Sequence, residues 1–383
     1  MSTAKKVSAL VFFVLITGVL LLLIFLPKKE FSDNENRVLA TFPELSFESI
    51  TSGEFMKGFE AYVADHFFLR DEWIAAKTRT ELLAGKKEVN GVFVLGDRLI
   101  QKFEDYDRTN VAKNVAAMKE FAENTGMPTS VMLVPTACEI QKDLLDPNAP
   151  VLNQKMLIDS VYTRLSDSLS VIDAYTMLYS SKDEYIYYKT DHHWTSLGAY
   201  LGYSAASKAL GYESIPRSSF NIEHASHSFL GTLYSKVIYD DMGPDTIDYY
   251  YYPSPKGVDV TTVTVNPGKN EKVYNSMYFR EYLEQKDQYS SFLGSNQPVV
   301  NVKTDLAGGK KLLVIKDSYA HSLVPFLTQH YSEITMVDLR YINSDLSERV
   351  DLASYDQILF VYNVETFAED QNLPKLSLTK PLA

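Results

Sequence analysis

The stretch Lys311-Leu312-Leu313-Val314-Ile315 is a short apolar run, typical of a strand that is buried on both faces. The sequence after it predicts a helix over 318–330, a second strand over 334–339, a short helical link over 347–353 and a third strand over 357–362. Strands that are joined in this way by crossover segments wind right-handed into a parallel sheet. The last third of the chain therefore predicts a βαβαβ unit.

Strands and helices also alternate upstream of this unit. The sequence predicts helices over 53–84, about 109–125 and about 154–168, strands over 130–134 and 171–174, and a strand or hairpin over 92–100. Such alternation favours a parallel α/β sheet. Residues 221–305 break the pattern, since Tyr249-Tyr250-Tyr251-Tyr252-Pro253 and the run 258–265 favour β structure. We therefore expect a β-rich insertion there.

The composition narrows the class of protein. Of the 383 residues, 45% are hydrophobic and 22% are charged, which is an ordinary globular balance. The formal net charge of −12 argues against a nucleic-acid partner, which would need a basic surface. Because Cys138 is the single cysteine, the chain has no disulfide of its own and no four-cysteine zinc site.

Residues 7–26 form an uncharged, mostly apolar run behind Lys5-Lys6, long enough to span about 30 Å as a helix. A cleaved signal peptide is the alternative, but it needs small residues at its cut site, and 22–27 offer none. We therefore expect a transmembrane signal anchor over 1–27, a polar stalk over 28–52 and the main domain over 53–383. Lysines flank the run on both sides and do not fix its orientation. We place the main domain outside the cell membrane, on a single-pass anchor.

Polar side chains follow the three strands of the βαβαβ unit. Asp317-Ser318, Arg340-Tyr341 and Asn363 stand at their carboxyl ends, where parallel sheets form their sites. Ser318 opens the predicted helix, so negative charge that develops beside it would be stabilised by the N–H groups of the helix start. This is a suitable place for a serine nucleophile. The alternative is that Asp317-Ser318 only caps the helix.

A second cluster lies about 125 residues earlier. Asp191 precedes His193 by two residues, and a carboxylate at that spacing can orient the imidazole and support its cation. The alternatives are a buried structural histidine, or a metal site built from His192 and His193 with help from His224 and His227. Adjacent histidines on a strand point to opposite faces, and no acidic third ligand has helical spacing with them. We therefore expect no metal and no other cofactor.

These residues carry a resemblance to a known family. The stretch 188–195 resembles the name-giving motif of the DHHW family of bacterial envelope proteins, and 315–322 resembles its second block. Both are similar to blocks of the alginate O-acetylation proteins, whose domain resembles a circularly permuted SGNH hydrolase. The resemblance implies Ser318 as nucleophile, His193 as base and Asp191 as its orienting carboxylate, with His192 at a variable position. Further blocks resemble the family at 35–37, 42–43, 65–67, 70–71 and 229–232.

The resemblance also implies a fold class: an SGNH hydrolase-like, flavodoxin-like parallel sheet that is circularly permuted. The sequence departs from the SGNH pattern at Lys316, where a glycine is usual. If the fold is permuted, Asn363 fits the oxyanion asparagine, although it can equally be an ordinary strand-end turn. Arg340 stands where a glycine donor is expected and can hold a sugar hydroxyl or an acyl carbonyl, or pair with Asp338. Tyr319 is a further candidate for oxyanion or substrate contacts.

The function implied by the resemblance is that of an O-acyltransferase or esterase acting on a cell-envelope or secreted polysaccharide through an acyl-Ser318 intermediate. The two activities share that intermediate and differ in whether sugar or water accepts the acyl group. A transferase would need a membrane-bound acyltransferase as its acyl-donating partner. The alternative is a non-catalytic polysaccharide-binding or assembly protein with the same fold. The distance between the Ser318 hydroxyl and the His193 ring discriminates between them.

Overall fold

The computed structural model describes residues 3–25, 28–32, 37–253 and 257–379. Its helices are α1 Thr3–Phe25, α2 Phe47–Ser52, α3 Glu54–Asp65, α4 Arg70–Leu83, α5 Arg108–Thr125, α6 Ala137–Ile140, α7 Gln154–Leu165, α8 Ala174–Ser180, α9 Ser196–Leu210, α10 Thr232–Val237, α11 Ala320–Leu327 and α12 Val364–Glu369. Its strands are β1 Phe31–Ser32, β2 Arg37–Val38, β3 Glu88–Val89, β4 Val92–Val94, β5 Leu99–Gln101, β6 Thr129–Val134, β7 Ser170–Val171, β8 Asn221–Phe229, β9 Asp245–Tyr251, β10 Val260–Val265, β11 Lys272–Tyr274, β12 Val299–Thr304, β13 Lys310–Lys316, β14 Tyr331–Val337 and β15 Gln357–Asn363.

The chain divides into two compact units. The first contains Met1–Asn90 and Tyr234–Asp241, and the second contains Gly91–Leu233 and Met242–Ala383. Residues 53–90 lie in the first unit, and the anchor, stalk and main-domain boundaries given by the sequence stay predictions. The fold of the second unit positions the candidate site.

The first unit begins with α1, which covers most of the apolar run. Within the described ranges, no helix has both the length and the apolar character that are needed to cross a membrane. The signal anchor over 1–27 and the single-pass localisation stay predictions from the sequence. Residues 1–2, 26–27 and 33–36 of the predicted anchor and stalk lie outside the described ranges.

The single helix that the sequence predicts over 53–84 is two helices, α3 and α4. The chain breaks between them because Leu69 adopts a left-handed backbone conformation, with φ of 54°. Phe42 of the predicted stalk packs its ring against three aromatic rings of α3, with centroid distances of 5.3 to 6.3 Å. Asp65 at the end of α3 accepts a hydrogen bond from the Ala40 N–H at 2.8 Å. These contacts fold residues 40–42 onto the helix.

The second unit is built on a sheet of eight described strands in the order β11-β10-β12-β14-β13-β15-β6-β7. The five strands from β14 to β7 are parallel neighbours. The other three join antiparallel to one another and to β14. The prediction of an α/β fold with a parallel sheet is confirmed in this mixed form. Residues 221–305 contribute β10, β11 and β12 to this sheet, while β8 pairs with β9 in a separate two-stranded antiparallel sheet.

The central strand β13 shows why the sheet forms. Leu312 and Val314 belong to the apolar core on one face, while Leu313 and Ile315 belong to the core on the other face. All four side chains are fully buried. A strand whose alternate residues meet apolar layers on both sides needs a continuous apolar run, which is what residues 311–315 supply.

Several predicted elements are shorter in the structure. The helix predicted over 318–330 is α11, which begins at Ala320, because Ser318 and Tyr319 form a turn after β13. The link predicted over 347–353 consists of two short 3-10 helices, Leu346–Glu348 and Leu352–Ser354. The turn after β13 is the more important difference, since it sets the direction of the Ser318 side chain.

Helix α9 packs closely against the segment that precedes it, and the contact depends on glycine. A methyl group at Gly198 would overlap the carbonyl oxygen of Ile186 and would lie 2.9 Å from the Trp194 Cβ. The side chain of Trp194 is completely buried, and its indole N–H donates to the Tyr319 carbonyl at 3.0 Å. The position of α9 and that of the Trp194 segment are therefore linked.

We predict that Gly198→Ala lowers the free energy of unfolding. Replacing glycine by alanine inside a helix normally stabilises it by about 1 kcal/mol, whereas overpacking costs roughly 1–3 kcal/mol. The overlap with a backbone carbonyl should make the second effect larger. Denaturant titration followed by circular dichroism measures the change. Lys208→Ala on the exposed side of α9 is the control, and a Gly198→Ala protein more stable than wild type would contradict the packing.

Candidate active site

The candidate nucleophile lies on the turn between β13 and α11, where the Asp317 carboxylate ties two strand ends together. One of its oxygens accepts the Tyr319 N–H at 2.9 Å. The other accepts both the backbone N–H and the side-chain N–H of Asn363 at 2.7 Å. Burial raises the pKa of Asp317 to about 6, although these N–H donors favour the carboxylate. Ser318 is therefore held on a turn that is fixed at the edge of the sheet.

The structure brings Ser318 into contact with His193 and Asp191. The Ser318 Oγ lies 2.6 Å from the His193 Nε2, and the His193 Nδ1 lies 2.5 Å from an oxygen of Asp191. The same oxygen accepts the His193 backbone N–H at 3.0 Å. A neutral ring protonated at Nδ1 satisfies both contacts, with Nε2 accepting from the serine hydroxyl. This is the hydrogen-bond order of a serine–histidine–aspartate triad.

Thr232 holds the second oxygen of Asp191. Its backbone N–H and its hydroxyl donate to that oxygen at 2.8 and 2.9 Å. Burial by itself would raise the pKa of Asp191, but the neighbouring imidazoles of His192 and His193 and the donated hydrogen bonds keep the pKa well below its usual range. Asp191 is therefore a carboxylate that is ready to support an imidazolium ion.

Gly231 leaves the space that Asp191 needs. A methyl group at Gly231 would overlap the Asp191 side chain, with the carboxyl carbon only 2.7 Å away. Gly231 and Thr232 lie in the block 229–232 that resembles the family. The sequence identified that block as similar to the family but did not indicate that it contacts Asp191.

Tyr289 is a residue of the site that the sequence did not indicate. Its ring stacks on the His193 ring at a centroid distance of 3.8 Å and an angle of 10°. Its hydroxyl donates to the Ser318 carbonyl oxygen at 3.0 Å and lies 3.1 Å from the Ser322 hydroxyl. Tyr289 lies in the predicted β-rich insertion among many other tyrosines, so no local signal distinguished it. It fixes the plane of the imidazole and the turn of the serine together.

Asp245 is a second residue that the sequence missed. This buried carboxylate accepts the backbone N–H groups of Lys189 and Thr190, both at 2.8 Å. It also accepts the hydroxyl of Thr190 at 2.5 Å and that of Tyr185. Burial raises the pKa of Asp245 above its usual value. Its role is to hold the chain in shape immediately before Asp191.

The structure places the predicted oxyanion residues differently. Both side-chain hydrogens of Asn363 are used, one on Asp317 and one on the Thr366 hydroxyl at 2.7 Å. Its side-chain oxygen accepts the Thr366 N–H and caps α12. Without a substrate, both side-chain hydrogens of Asn363 are therefore engaged and its side chain caps α12, while its role at an oxyanion stays a prediction.

Arg340 and Tyr319 are also engaged. The Arg340 guanidinium donates twice to Asp338, at 2.8 and 2.6 Å, so it forms the pair that the sequence left open. Tyr319 is buried and its hydroxyl donates to the His192 carbonyl at 2.5 Å. Among the described residues, the Ser318 backbone N–H has no hydrogen-bond partner, which makes it the available oxyanion donor.

Lys316 occupies the place of the usual SGNH glycine and is buried, with 1% of its surface exposed. Its ammonium group donates to the Asn296 side-chain oxygen, the His321 Nε2 and the Asp338 carboxylate at 3.2, 2.6 and 3.3 Å. Burial lowers the pKa of Lys316 to about 8, and the attraction of Asp338 offsets only part of that effect. Burial and the nearby ammonium also hold the pKa of His321 well below its usual value.

Asp191, His192 and His193 are also a candidate metal cluster, since one ligand atom of each lies within 4.8 Å of the others. The Asp191 oxygens and the His193 Nδ1 already take part in the hydrogen bonds described above. The His192 Nδ1 lies 2.7 Å from the Thr232 hydroxyl. An ion would have to displace these bonds, so the absence of a metal stays our prediction. His224 and His227 lie on β8 and contact Asp248 and Thr246 instead.

Comparison with known proteins identifies relatives. The family model described as DHHW protein matches residues 84–337. No curated protein matches the chain. A solved structure of a DHHW family protein from Eubacterium siraeum is similar, with a TM-score of 0.64, 24% identity, 77% of this chain covered and 98% of that one. PatB1 from Bacillus cereus is similar with a TM-score of 0.62, 19% identity, and 75% and 99% covered.

A second PatB1 structure carries a sulfonyl adduct and gives a TM-score of 0.61 at 19% identity, with 76% of this chain covered and 97% of that one. At these identities the structural similarities establish the fold. They place the chain among mixed α/β proteins with a sheet that contains parallel strands.

We predict that Gly231→Ala breaks the hydrogen bond between Asp191 and His193, because the new methyl group needs the volume of the Asp191 side chain. The short bond at Nδ1 should give a far-downfield proton resonance in the wild type and lose it in the variant. Gly243→Ala is the matched control, since a methyl group there has no atom within 4 Å. Retention of the resonance in Gly231→Ala would show that Asp191 does not need this contact.

We predict that Lys316→Met changes how stability depends on pH. Lys316 has a pKa of about 8 when folded and an ordinary value of 10.5. Between these values the unfolded chain binds more protons, so this group makes the free energy of unfolding rise with pH. Lys316→Met should flatten that rise in denaturant titrations between pH 8 and 10. Lys310→Met on the exposed end of β13 is the control, and parallel curves for Lys316→Met and wild type would contradict the buried charge.

Proposed function

The chain belongs to the DHHW family, and from this membership and the geometry of the site we propose a function. The protein is a serine O-acyltransferase or esterase that acts on a cell-envelope or secreted polysaccharide through an acyl-Ser318 intermediate. The observation that carries the proposed chemistry is the 2.6 Å contact between the Ser318 Oγ and the His193 Nε2, with Asp191 behind the ring. The polysaccharide substrate rests on the sequence resemblance to alginate O-acetylation proteins.

The first half-reaction follows from the hydrogen bonds. The Ser318 Oγ attacks the acyl carbonyl while the His193 Nε2 takes its proton, and Asp191 stabilises the imidazolium ion that forms. The Ser318 N–H donates to the oxygen that becomes negative. As the tetrahedral intermediate collapses, Nε2–H gives its proton to the leaving group, and the acyl group remains bonded to Ser318.

The second half-reaction decides between the two activities. His193 removes a proton from an incoming hydroxyl group, and the oxygen of that group attacks the acyl-serine. The bond from the acyl carbon to the Ser318 Oγ then breaks, and Nε2–H returns the proton to the Ser318 Oγ. A sugar hydroxyl gives a transferase and water gives an esterase. As a transferase, the protein would receive its acyl groups from a membrane-bound acyltransferase. The proposal places the site outside the cell membrane, which rests on the apolar run over 7–26.

We propose in addition that the domain is a circularly permuted SGNH hydrolase-like fold. The parallel strands lie in the order β14-β13-β15-β6-β7. If β13, which precedes the serine, is counted as the first strand, this order is 2-1-3-4-5, the order of flavodoxin-like sheets. Strands 4 and 5 then stand before strand 1 in the chain. That arrangement supports a permutation and explains why the Asp191 segment precedes Ser318.

We predict that Ser318→Ala abolishes covalent labelling by a serine-directed reagent. A fluorophosphonate or a sulfonyl fluoride should modify the wild type at Ser318, and peptide mass spectrometry identifies the modified residue. The sulfonyl fluoride is chosen because the similar PatB1 structure carries a sulfonyl adduct. Ser347→Ala is the control, because this serine is exposed on the 3-10 helix Leu346–Glu348 and makes none of the contacts described for the site. Equal labelling of Ser318→Ala and wild type would refute the proposed nucleophile.

Variants of the two adjacent histidines test which of them is the base. Hydrolysis of p-nitrophenyl acetate should fall by about 10²–10⁴-fold in His193→Gln, the effect of losing a general base. The loss in His192→Gln should be much smaller, since the Ser318 hydroxyl bonds the His193 ring, while the His192 Nδ1 lies beside the Thr232 hydroxyl. An inactive His192→Gln variant together with an active His193→Gln variant would show that His192, and not His193, is the base. A folded wild type that neither takes up the label nor hydrolyses the ester would favour the non-catalytic binding protein.

A further inference from the structure

An aromatic cluster on the surface of the first unit enters no apolar core. It consists of Phe42 and of three residues of α3, and the Phe42 ring contacts the rings of all three: Phe55, Phe59 and Tyr62. Phe42 is 58% exposed, and neither α2 nor α3 contains a buried residue. Helices of a globular protein normally bury an apolar face. Within the described part of the chain, the cluster is therefore left uncovered.

Further large apolar side chains follow Phe42 along the chain. Leu45, Phe47 and Ile50 are 67%, 85% and 53% exposed. Phe47 and Ile50 are three residues apart on α2, so they lie on the same side of that helix. A single apolar side chain at the surface is ordinary, whereas a group of large ones marks a binding surface. We call the aromatic cluster and these three residues together the apolar surface of the first unit.

The apolar surface is attached to the segment that directly follows the apolar run over 7–26. The Lys29 carbonyl oxygen lies 3.1 Å from the His66 Nε2 at the end of α3. The Lys28 ammonium group lies 5.7 Å from the centre of the Tyr62 ring, and Lys28 is only two positions beyond the run. Where the run enters a bilayer as the predicted anchor, the two lysines leave it at the lipid headgroups. The apolar surface is then held at the same level.

The composition of this surface fits a lipid interface. Aromatic rings and lysine side chains are the groups that proteins place where an apolar segment leaves a bilayer. Glu44, Glu48 and Glu54 are exposed in the same segment, so anionic headgroups would not attract it and the contact has to be apolar. We infer that the apolar surface of the first unit lies on the bilayer that the anchor enters, with its side chains inserted to a shallow depth.

This second contact adds to what the anchor does. An anchor alone ties the chain to the bilayer at one point and leaves the first unit free to turn about it. Because the anchor keeps the apolar surface near the lipid, its effective concentration there is high, and a few apolar side chains are sufficient for contact. The inference takes the predicted anchor as its premise and does not rest on the proposed reaction.

The contact can be measured by tryptophan fluorescence on the full chain, reconstituted into phosphatidylcholine vesicles whose acyl chains carry bromine. Bromine quenches an indole only when the two are in contact. The chain has two tryptophans, of which Trp194 is completely buried and Trp73 is 55% exposed. Trp73→Phe removes the exposed one and gives the baseline. Phe47→Trp, placed in that background, reports on the apolar surface.

We expect brominated lipid to quench the Phe47→Trp reporter and to leave the baseline protein unchanged. Adding Leu45→Ser and Ile50→Ser to the reporter should lower the ratio of docked to free first unit by about tenfold, because two apolar side chains are lost from the contact. Leu378→Ser, at an exposed position of the second unit, is the matched control and should keep the full quenching. Phosphatidylglycerol in the vesicles should not increase the quenching. Circular dichroism checks that each variant folds.

Two results would overturn the inference. If the reporter is not quenched, whether or not the protein floats with the vesicles, the apolar surface belongs to a protein partner or to a second copy of the chain. If the reporter is quenched equally with and without Leu45→Ser and Ile50→Ser, the anchor alone brings it to the lipid. Quenching in a protein whose Ser318 takes up no label would refute the proposed reaction and support the membrane contact.

Discussion

The contact between the Ser318 hydroxyl and the His193 ring is the constraint on which the candidate site depends. It joins residues 125 positions apart in the chain, so the fold must close a long loop to form it. Two further bonds between the same segments support it, from the Trp194 indole to the Tyr319 carbonyl and from the Tyr319 hydroxyl to the His192 carbonyl. Tyr289 adds a third segment, because its ring lies on the imidazole and its hydroxyl on the Ser318 carbonyl.

Buried charge surrounds this contact on both sides, and each charge has specific partners. Asp191 stays ionised because Thr232 and the two imidazoles compensate the cost of burial, whereas burial dominates at Asp317 and raises its pKa. Lys316 lies at the end of the same strand, between Asp338 and a neutral His321. A charge in such a place is costly unless it is paired and hydrogen-bonded. The network therefore links the geometry of the serine turn to the integrity of the strand ends.

Some of the site could be predicted from the sequence, and the reason is local. An aspartate two residues before a histidine can reach that ring whatever the rest of the chain does, and a serine after an apolar strand must lie near a sheet edge. The same logic did not extend to Asn363 and Arg340. Both residues lie after strand ends, as predicted. The Asn363 side chain, however, donates to the Thr366 hydroxyl, and the Arg340 guanidinium donates to Asp338, so these bonds compete with contacts to a substrate. Strand-end placement brings a residue near a site without deciding where its hydrogen bonds go.

The sequence by itself determined the parallel strands of the sheet, since the apolar runs at 311–315 and 357–362 can be buried on both faces only between covering layers. It also determined the pairing of Asp191 with His193, because their covalent spacing keeps them close. The tertiary structure alone decided that Ser318 meets His193, and that Tyr289 and Asp245 support them. These contacts join segments that are remote in the chain, and they depend on which surfaces pack together when the sheet and its helices assemble. No local pattern of residues encodes that choice, because the apolar surfaces that drive packing attract one another without direction.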